Sequence, residues 1–191
     1  TQLSLLISET CKDLSEVKHE LILQETLRNL YDGMPILEID KALIISARTL
    51  VEQDPNYTYA TARFLLRTLY TEALDFLELP TAVYTNNHAG VYHHYFQHYI
   101  QRGVALELLD PQLRSFDLEK LGKALLPERD QQFTYLSLQT LYDRYFLHAD
   151  DVRFELPQAF FMRIAMGLAQ QESNKEDRAI EFYQLLSSFD Y

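Results

Sequence analysis

The chain has 191 residues, of which 47% are hydrophobic and 13% aromatic, so it is too apolar to be intrinsically disordered. Its net charge of −11 argues against nonspecific binding to nucleic acid or to an acidic membrane surface, because such binding needs a cationic face. The single cysteine, Cys11, excludes an internal disulfide and fits a reducing compartment. No apolar run approaches the roughly 20 residues of a membrane span, and no signal peptide is recognisable. A cytoplasmic protein is therefore expected.

Helical spacing of apolar residues dominates the first part of the chain. Leucine, isoleucine and alanine recur there at intervals of three and four residues, which predicts three helices. Breaks follow at Asp32-Gly33, where glycine can close a helix in the left-handed conformation, and at Asp54-Pro55-Asn56. The predicted helices are Leu14–Tyr31, Pro35–Gln53 and Tyr57–Leu77.

A linker is predicted over Leu79–His88, because this segment holds Pro80 and two asparagines and lacks a periodic apolar pattern. The linker divides the chain into two predicted domains, 1–80 and 81–191. Helical spacing resumes beyond it. The predicted helices of the second domain are Ala89–Gly103, Asp117–Leu126 with Asp117 as its cap, Arg129–Leu147, a helix from Pro157, and Glu176–Phe189.

One strand pattern interrupts these helices. His148-Ala149-Asp150-Asp151 is predicted to form a turn, with Arg144–Leu147 and Val152–Glu155 pairing beside it as a very short hairpin. With only 5 glycines and 6 prolines, the chain does not suit a sandwich or barrel built on many tight turns. The expected fold class is therefore all-α, with at most one tiny hairpin near 145–155.

The helix from Pro157 is apolar on most sides, which is typical of a buried helix. Arg163 interrupts it. Because an unpaired buried charge is expensive, we expect Arg163 to pair with a carboxylate inside the helical domain and to touch no substrate.

Few residues suggest chemistry. His94 and His98 lie four apart and share a helix face with His93 nearby, as two zinc ligands would, but Tyr95 stands where the catalytic zinc motif needs glutamate. A solvated or aromatic-packed histidine face is favoured over a metal site. Cys11 lies among apolar residues and is interpreted as a buried hydrophobe. No catalytic, cofactor-binding or metal-binding residue is predicted.

Two segments at a fixed separation carry a family resemblance. The first is Leu141–Phe146, in a tyrosine-rich helix. The second is Glu155–Ala165, a Glu-x-Pro-Gln helix start followed by Met-Arg-x-Ala. Together they resemble the N-terminal helical domain of the large (alpha) subunit of class I ribonucleotide reductase. The resemblance covers about Arg102–Tyr191.

Upstream, residues 1–73 are similar to the helical part of an ATP-cone, the regulatory module that precedes this domain in the family. The similarity rests on Tyr31-Asp32-Gly33, a helix, and then Asp54–Arg63. The strand pair that grips phosphates in such cones is not recognisable at the start of the chain. This strand pair is either cut away or absent, and residues 1–80 are expected to be a degenerate cone.

The positions that would contact nucleotide also depart from the cone pattern. Where nucleotide-binding cones have a threonine and then a histidine or lysine, this chain has Ile36 and Asp40, and a late basic position falls at about Thr71. Isoleucine cannot donate a hydrogen bond, and aspartate repels a triphosphate. We therefore expect the chain to bind no nucleotide by itself.

The resemblance implies a regulatory and scaffold region of a ribonucleoside-diphosphate reductase that is itself non-catalytic, because the family's chemistry needs at least three cysteines. It implies ATP and dATP as effectors of the full-length protein, a small (beta) radical-generating subunit and the catalytic barrel as partners, and an oligomer. Since the chain starts at Thr1 without a methionine, it is expected to be a piece of a longer protein. The alternative is a free-standing helical interaction module without enzyme activity.

Overall fold

A computed structural model describes residues 2–80 and 88–189. Over these residues the chain is mainly helical, and one two-stranded antiparallel sheet interrupts the helices. The all-α prediction is confirmed. The α-helices are α1 (Gln2–Thr10), α2 (His19–Asn29), α3 (Ile36–Thr49), α4 (Tyr57–Phe76), α5 (His88–Ala105), α6 (Leu118–Ala124), α7 (Tyr135–Arg144), α8 (Pro157–Ala169) and α9 (Lys175–Ser188). Short 3-10 helices cover Leu50–Glu52, Pro111–Ser115 and Pro127–Gln132, and the strands are β1 (His148–Ala149) and β2 (Val152–Arg153).

The chain forms two compact units. The first unit runs to Thr68 and includes Gln131–Arg144, and the second comprises Leu69–Asp130 and the chain from Tyr145 onward. Most of the predicted linker, 81–87, lies outside the described residues. The predicted domain boundary between residues 80 and 81 adjoins that segment and stays a prediction.

The first unit has an aliphatic core formed by α1, α2, α3 and the start of α4. Ile7, Ile22 and Leu43 are fully buried there, together with Tyr57 and Phe64. Because these positions recur at helical spacing, each helix turns one apolar stripe inward. Burial of this apolar surface is the main stabilising contribution in the unit.

Two polar contacts fix the ends of elements in the first unit. The Arg63 guanidinium donates to the backbone oxygens of Thr10 (3.0 Å) and Lys12 (2.7 Å), which satisfies carbonyls at the C-terminal end of α1. The backbone N–H of Tyr135, at the start of α7, donates to Thr58 Oγ1 at 3.1 Å. Both contacts join segments that are far apart in the sequence.

One predicted helix boundary in this part of the chain is wrong, and one helix was not predicted. The helix expected from Leu14 begins only at His19, because the chain turns through left-handed residues Asp13 (φ 65°) and Glu16 (φ 63°) before it. The helix α1 was not among the predicted helices.

The predicted helix Arg129–Leu147 is also wrong as one element. A 3-10 helix ends at Gln132, and α7 starts only at Tyr135. Thr134 Oγ1 accepts a hydrogen bond from the backbone N–H of Ser137 (3.3 Å), which is the contact of an N-terminal cap and starts a separate helix.

The second unit contains α5, α6, α8, α9 and the hairpin. The predicted cap is confirmed, since Asp117 accepts from the backbone N–H of Lys120 at 2.9 Å. The hairpin is also present, but its strands are shorter and shifted: His148 pairs with Arg153 and Ala149 with Val152. Only Asp150 and Asp151 form the turn, both with positive φ, as a tight hairpin turn that follows strand twist requires.

The helix α8 lies at the centre of this unit. Pro157 occupies its first turn as predicted, and most of its side chains are buried against neighbours that include α9. No helix over residues 2–80 and 88–189 is long and apolar enough to cross a membrane.

Candidate functional site

A stripe of tyrosines on α5 organises the interior of the second unit. Tyr92, Tyr95 and Tyr99 are separated by three and four residues, so they lie on one face of the helix. All three are buried. Because a buried phenol hydroxyl needs a hydrogen-bond partner, the stripe requires polar groups on the elements that pack against it.

The first partner is Glu155, a fully buried carboxylate between β2 and α8. It accepts hydrogen bonds from the Tyr99 hydroxyl and from the backbone N–H of Leu147 (2.9 Å). Arg163 binds it through two contacts, Nε to Oε1 at 2.6 Å and Nη2 to Oε2 at 3.2 Å. The predicted pairing of Arg163 with a carboxylate is confirmed.

This ion pair neutralises the charge of Glu155 in the interior. Burial by itself lowers the pKa of Arg163, but the hydrogen bond and the charge of Glu155 raise it overall. The guanidinium also lies 5.4 Å over the ring centre of Phe160. Arg163 therefore stays charged and holds the turn before α8 against the helix itself.

Tyr95 connects the same turn to α5 through the backbone. Its hydroxyl donates to the carbonyl of Phe154 (2.6 Å) and accepts from the N–H of Leu156 (2.8 Å). The backbone groups between β2 and α8 would otherwise be buried without partners. Tyr95 therefore provides hydrogen-bond partners for the backbone groups just before α8.

The second carboxylate of the interior is Asp130, which lies within the 3-10 helix Pro127–Gln132 and is only 3% exposed. Its Oδ2 accepts from the hydroxyls of Tyr70 (2.5 Å) and Tyr92 (2.7 Å), and its Oδ1 accepts from Gln158 Nε2 (2.7 Å). These three donors come from α4, α5 and α8, and all three are neutral. Burial raises the pKa of Asp130 to about 6, against the opposing effect of the three hydrogen bonds.

Gln158 extends this cluster to α9. Its Oε1 accepts from the Tyr183 hydroxyl at 2.6 Å, and that hydroxyl accepts in turn from the backbone N–H of Leu126 at 2.8 Å. Every polar atom of the Gln158 side chain is therefore used. The cluster of Asp130, Tyr70, Tyr92, Gln158 and Tyr183, called here the Asp130 cluster, ties four helices to one acidic side chain.

These groups hold elements of the second unit together through hydrogen bonds. Burial raises the pKa of Tyr70, Tyr92, Tyr95 and Tyr99 well above the ordinary tyrosine value, so all four hydroxyls keep their protons at neutral pH. A neutral phenol in a closed network is a donor and acceptor, not a nucleophile.

The residues that the sequence singled out have separate environments. His98 Nδ1 lies 2.8 Å from the carbonyl oxygen of His94, a contact within α5. Across the described part of the chain, no group of three or more His, Cys, Asp or Glu side chains is placed to hold a metal ion. Cys11 is buried, as interpreted from the sequence, and burial raises the pKa of its thiol to about 11 against the opposing charge of Arg63.

Two of the cone positions, Ile36 and Asp40, lie on α3 in the first unit. Ile36 is 76% exposed at the start of α3, where it offers no hydrogen bond. Asp40 forms an ion pair with Arg67, Oδ1 to Nε at 3.5 Å. The Arg67 guanidinium, a cation near this face, is therefore already paired with a carboxylate of the chain itself.

Sequence reasoning missed the Asp130 cluster and the role of Glu155. From the sequence no role is predicted for Asp130, and Glu155 matters there only as the first residue of the Glu-x-Pro-Gln segment. A usable signal was present in the tyrosine spacing of α5, because three buried hydroxyls on one helix face call for acceptors. Their identity depended on the tertiary structure, since the acceptors of Tyr92, Tyr95 and Tyr99 lie 38, 59 and 56 positions away along the chain.

Comparison with known proteins points to one family. Residues 131–191 match the model of the ribonucleotide reductase all-alpha domain. The whole chain is 39% identical over 193 residues to the ribonucleoside-diphosphate reductase subunit alpha of Chlamydia muridarum. These matches fall in the N-terminal region of reductase alpha subunits. Its resemblance to the class I large subunit is thereby confirmed at the level of the family.

Two further relatives support the same assignment. The alpha subunit of Helicobacter pylori is 37% identical over 163 residues, which cover 83% of the chain and 19% of the relative. The large subunit of Vaccinia virus is 27% identical over 169 residues, covering 87% and 20%. All of this chain is aligned with the Chlamydia muridarum subunit, but it covers 18% of that subunit. The chain thus spans about a fifth of the length of its relatives.

Proposed function

We propose that the chain is the regulatory and scaffold region of a ribonucleoside-diphosphate reductase alpha subunit and is itself non-catalytic. The observation that supports this most is the 39% identity over the whole chain to a protein named as such a subunit. The single cysteine, buried in the first unit, supports the non-catalytic part of the proposal, because the family's chemistry uses at least three cysteines.

In this role the second unit serves as a rigid support for the catalytic barrel. Its interior is fixed by hydrogen bonds to two buried carboxylates, and rigid elements position a neighbouring site better than loops do. The full-length protein would work in the cytoplasm with a small radical-generating subunit, as an oligomer that responds to ATP and dATP. Each of these partners and effectors is carried over from the family.

We propose further that residues 1–80 are a degenerate ATP-cone that binds no nucleotide by itself. A triphosphate needs donors and positive charge, whereas Ile36 offers neither and Asp40 is anionic and paired with Arg67. The regulatory response of the full-length enzyme would then need another nucleotide site.

Two measurements test the proposal. Calorimetric titration of the chain with ATP and with dATP is expected to give no binding heat, and micromolar affinity for either would overturn the degenerate-cone part. Reading the gene beyond the codon for Tyr191 tests the enzyme part. Cysteine-containing segments in the same frame are expected, whereas an immediate stop codon would favour the free-standing interaction module.

A further inference from the structure

The two buried carboxylates of the second unit differ in how their charge is balanced. Glu155 has the guanidinium of Arg163 within 2.6 Å. Asp130 has three neutral donors, and within residues 2–80 and 88–189 no cation forms an ion pair with it. Because no cation offsets the cost of burying its charge, burial favours the protonated form of Asp130, and the three neutral donors oppose this effect only in part.

We propose that Asp130 is a proton-binding site, and that its protonation reverses a hydrogen bond to Tyr70 or Tyr92 and makes the packing of α4 and α5 in the second unit sensitive to mildly acidic pH. This inference is independent of the proposed function. It rests on the hydrogen-bond geometry of one carboxylate and its five-residue cluster.

The geometry forces a rearrangement when the proton binds. In the ionised state both Asp130 oxygens are acceptors, and each faces at least one donor hydrogen. A proton taken from solvent turns one oxygen into a donor. On Oδ2 that proton meets the hydroxyls of Tyr70 and Tyr92, so one of these hydroxyls must become the acceptor.

The opposite oxygen is the less suitable place for the proton. Oδ1 faces an N–H of Gln158, which has no lone pair and cannot turn to accept. The other end of the Gln158 amide is held by Tyr183, so flipping the amide would break that bond too. Proton binding is therefore directed to the tyrosine side of the carboxyl group.

The charged and titratable groups around Asp130 favour this behaviour. Tyr70 on α4, Tyr92 and Tyr95 on α5 and Tyr183 on α9 are all neutral in the relevant range, since burial raises the pKa of each. On the element of Asp130 itself, Glu128 adds a negative charge that favours protonation. Arg129 turns instead to α9, where it donates to Gln184 O (3.0 Å) and Ser187 Oγ (2.5 Å).

The direct test is carbon-13 NMR of the complete chain between pH 3.5 and 8, with aspartate and tyrosine side chains labelled. The Asp130 carboxyl is expected to titrate near pH 6, about two pH units above exposed aspartates. The ring carbons bearing the hydroxyls of Tyr70 and Tyr92 should shift with the same midpoint. A midpoint at or below pH 4, or an Asp130 titration without any response from these two tyrosines, would overturn the proposal.

Matched variants locate the effect. Tyr92→Phe removes a donor that stabilises ionised Asp130, so its midpoint should rise measurably. Tyr95→Phe makes the same change one turn along the same face, but Tyr95 bonds only to backbone groups at Phe154 and Leu156. It should leave the midpoint of Asp130 nearly unchanged. Equal shifts in the two variants would contradict a direct hydrogen-bond origin.

Discussion

The two units differ in how their buried polar side chains are hydrogen-bonded. In the first unit, buried Thr26 and Thr61 donate to carbonyls one turn back in their own helices, to Ile22 and Tyr57. In the second unit, buried Asp130 and the buried side chains around it bond between elements. The first unit is therefore stabilised mainly by burial of apolar surface, which is non-directional. In the second unit, directional hydrogen bonds also fix the positions of the helices.

This contrast has an energetic consequence. Replacing a polar group that bonds within its own helix disturbs one element, but removing a partner from a network between elements leaves buried groups unsatisfied on several. Substitutions of the same chemical type should therefore cost more in the second unit.

The largest expected effect comes from a pair of arginine substitutions. Arg163→Met leaves the fully buried Glu155 without its cation and should lower the free energy of unfolding by about 3 kcal/mol at pH 7. Arg63→Met removes only bonds to two carbonyls at the end of α1 and should cost about 1 kcal/mol. Urea denaturation followed by circular dichroism measures both. Equal losses would break the comparison.

The next effect is a dependence of stability on pH. Because the pKa of folded Asp130 is about 6, above its value near 4 in the unfolded chain, the folded state binds the proton more tightly. Its contribution is fully present below about pH 4 and is lost as the pH rises to about 6. The stability difference between wild type and Asp130→Asn should therefore fall by on the order of 2 kcal/mol between pH 4 and pH 7.

Asparagine removes the titration but keeps the shape of the side chain, so this difference isolates Asp130 from the surface carboxylates. The measurement is urea denaturation of both proteins at half-unit steps of pH. A flat difference, or one that rises with pH, would show that Asp130 is not protonated on folding.

The smallest expected effect compares two buried tyrosines. Tyr95→Phe leaves the carbonyl of Phe154 and the N–H of Leu156 unsatisfied and should cost about 2 kcal/mol. Tyr57→Phe, in the first unit, removes a single bond from the backbone N–H of Lys18 and should cost about 1 kcal/mol. The midpoints of urea denaturation give the order, and a larger loss for Tyr57→Phe would reverse the comparison.

Features of the fold that depend on the local sequence were predictable, whereas features that depend on contacts between distant residues were not. Local signals succeeded: Pro157 marked the first turn of α8, and Asp117 capped α6. The predicted boundaries of helices were wrong where contacts between distant residues set them. The expected helix from Arg129 is split, because Asp130 is drawn into the interior and Thr134 caps a new helix.

The candidate site was predictable in part for the same reason. Arg163 could be expected to have a partner from the apolar sequence around it, since an unpaired charge in such a helix is costly. That the partner is Glu155, only eight positions earlier, required the turn that brings the entry of α8 back along the helix. The Asp130 cluster was not predictable, because its members lie on α4, α5, α8 and α9 and no local pattern links them.

The amino-acid sequence by itself determined the all-helical class, the short hairpin and the resemblance to reductase alpha subunits, because these depend on apolar period, turn residues and ordered motifs. The tertiary structure alone decided which buried acid received a cation and which received only neutral donors. That choice depends on burial and on donors distant in sequence, which set the free energy of a charge in the interior. Arg163 lies beside Glu155, whereas Asp130 accepts three hydrogen bonds from neutral donors.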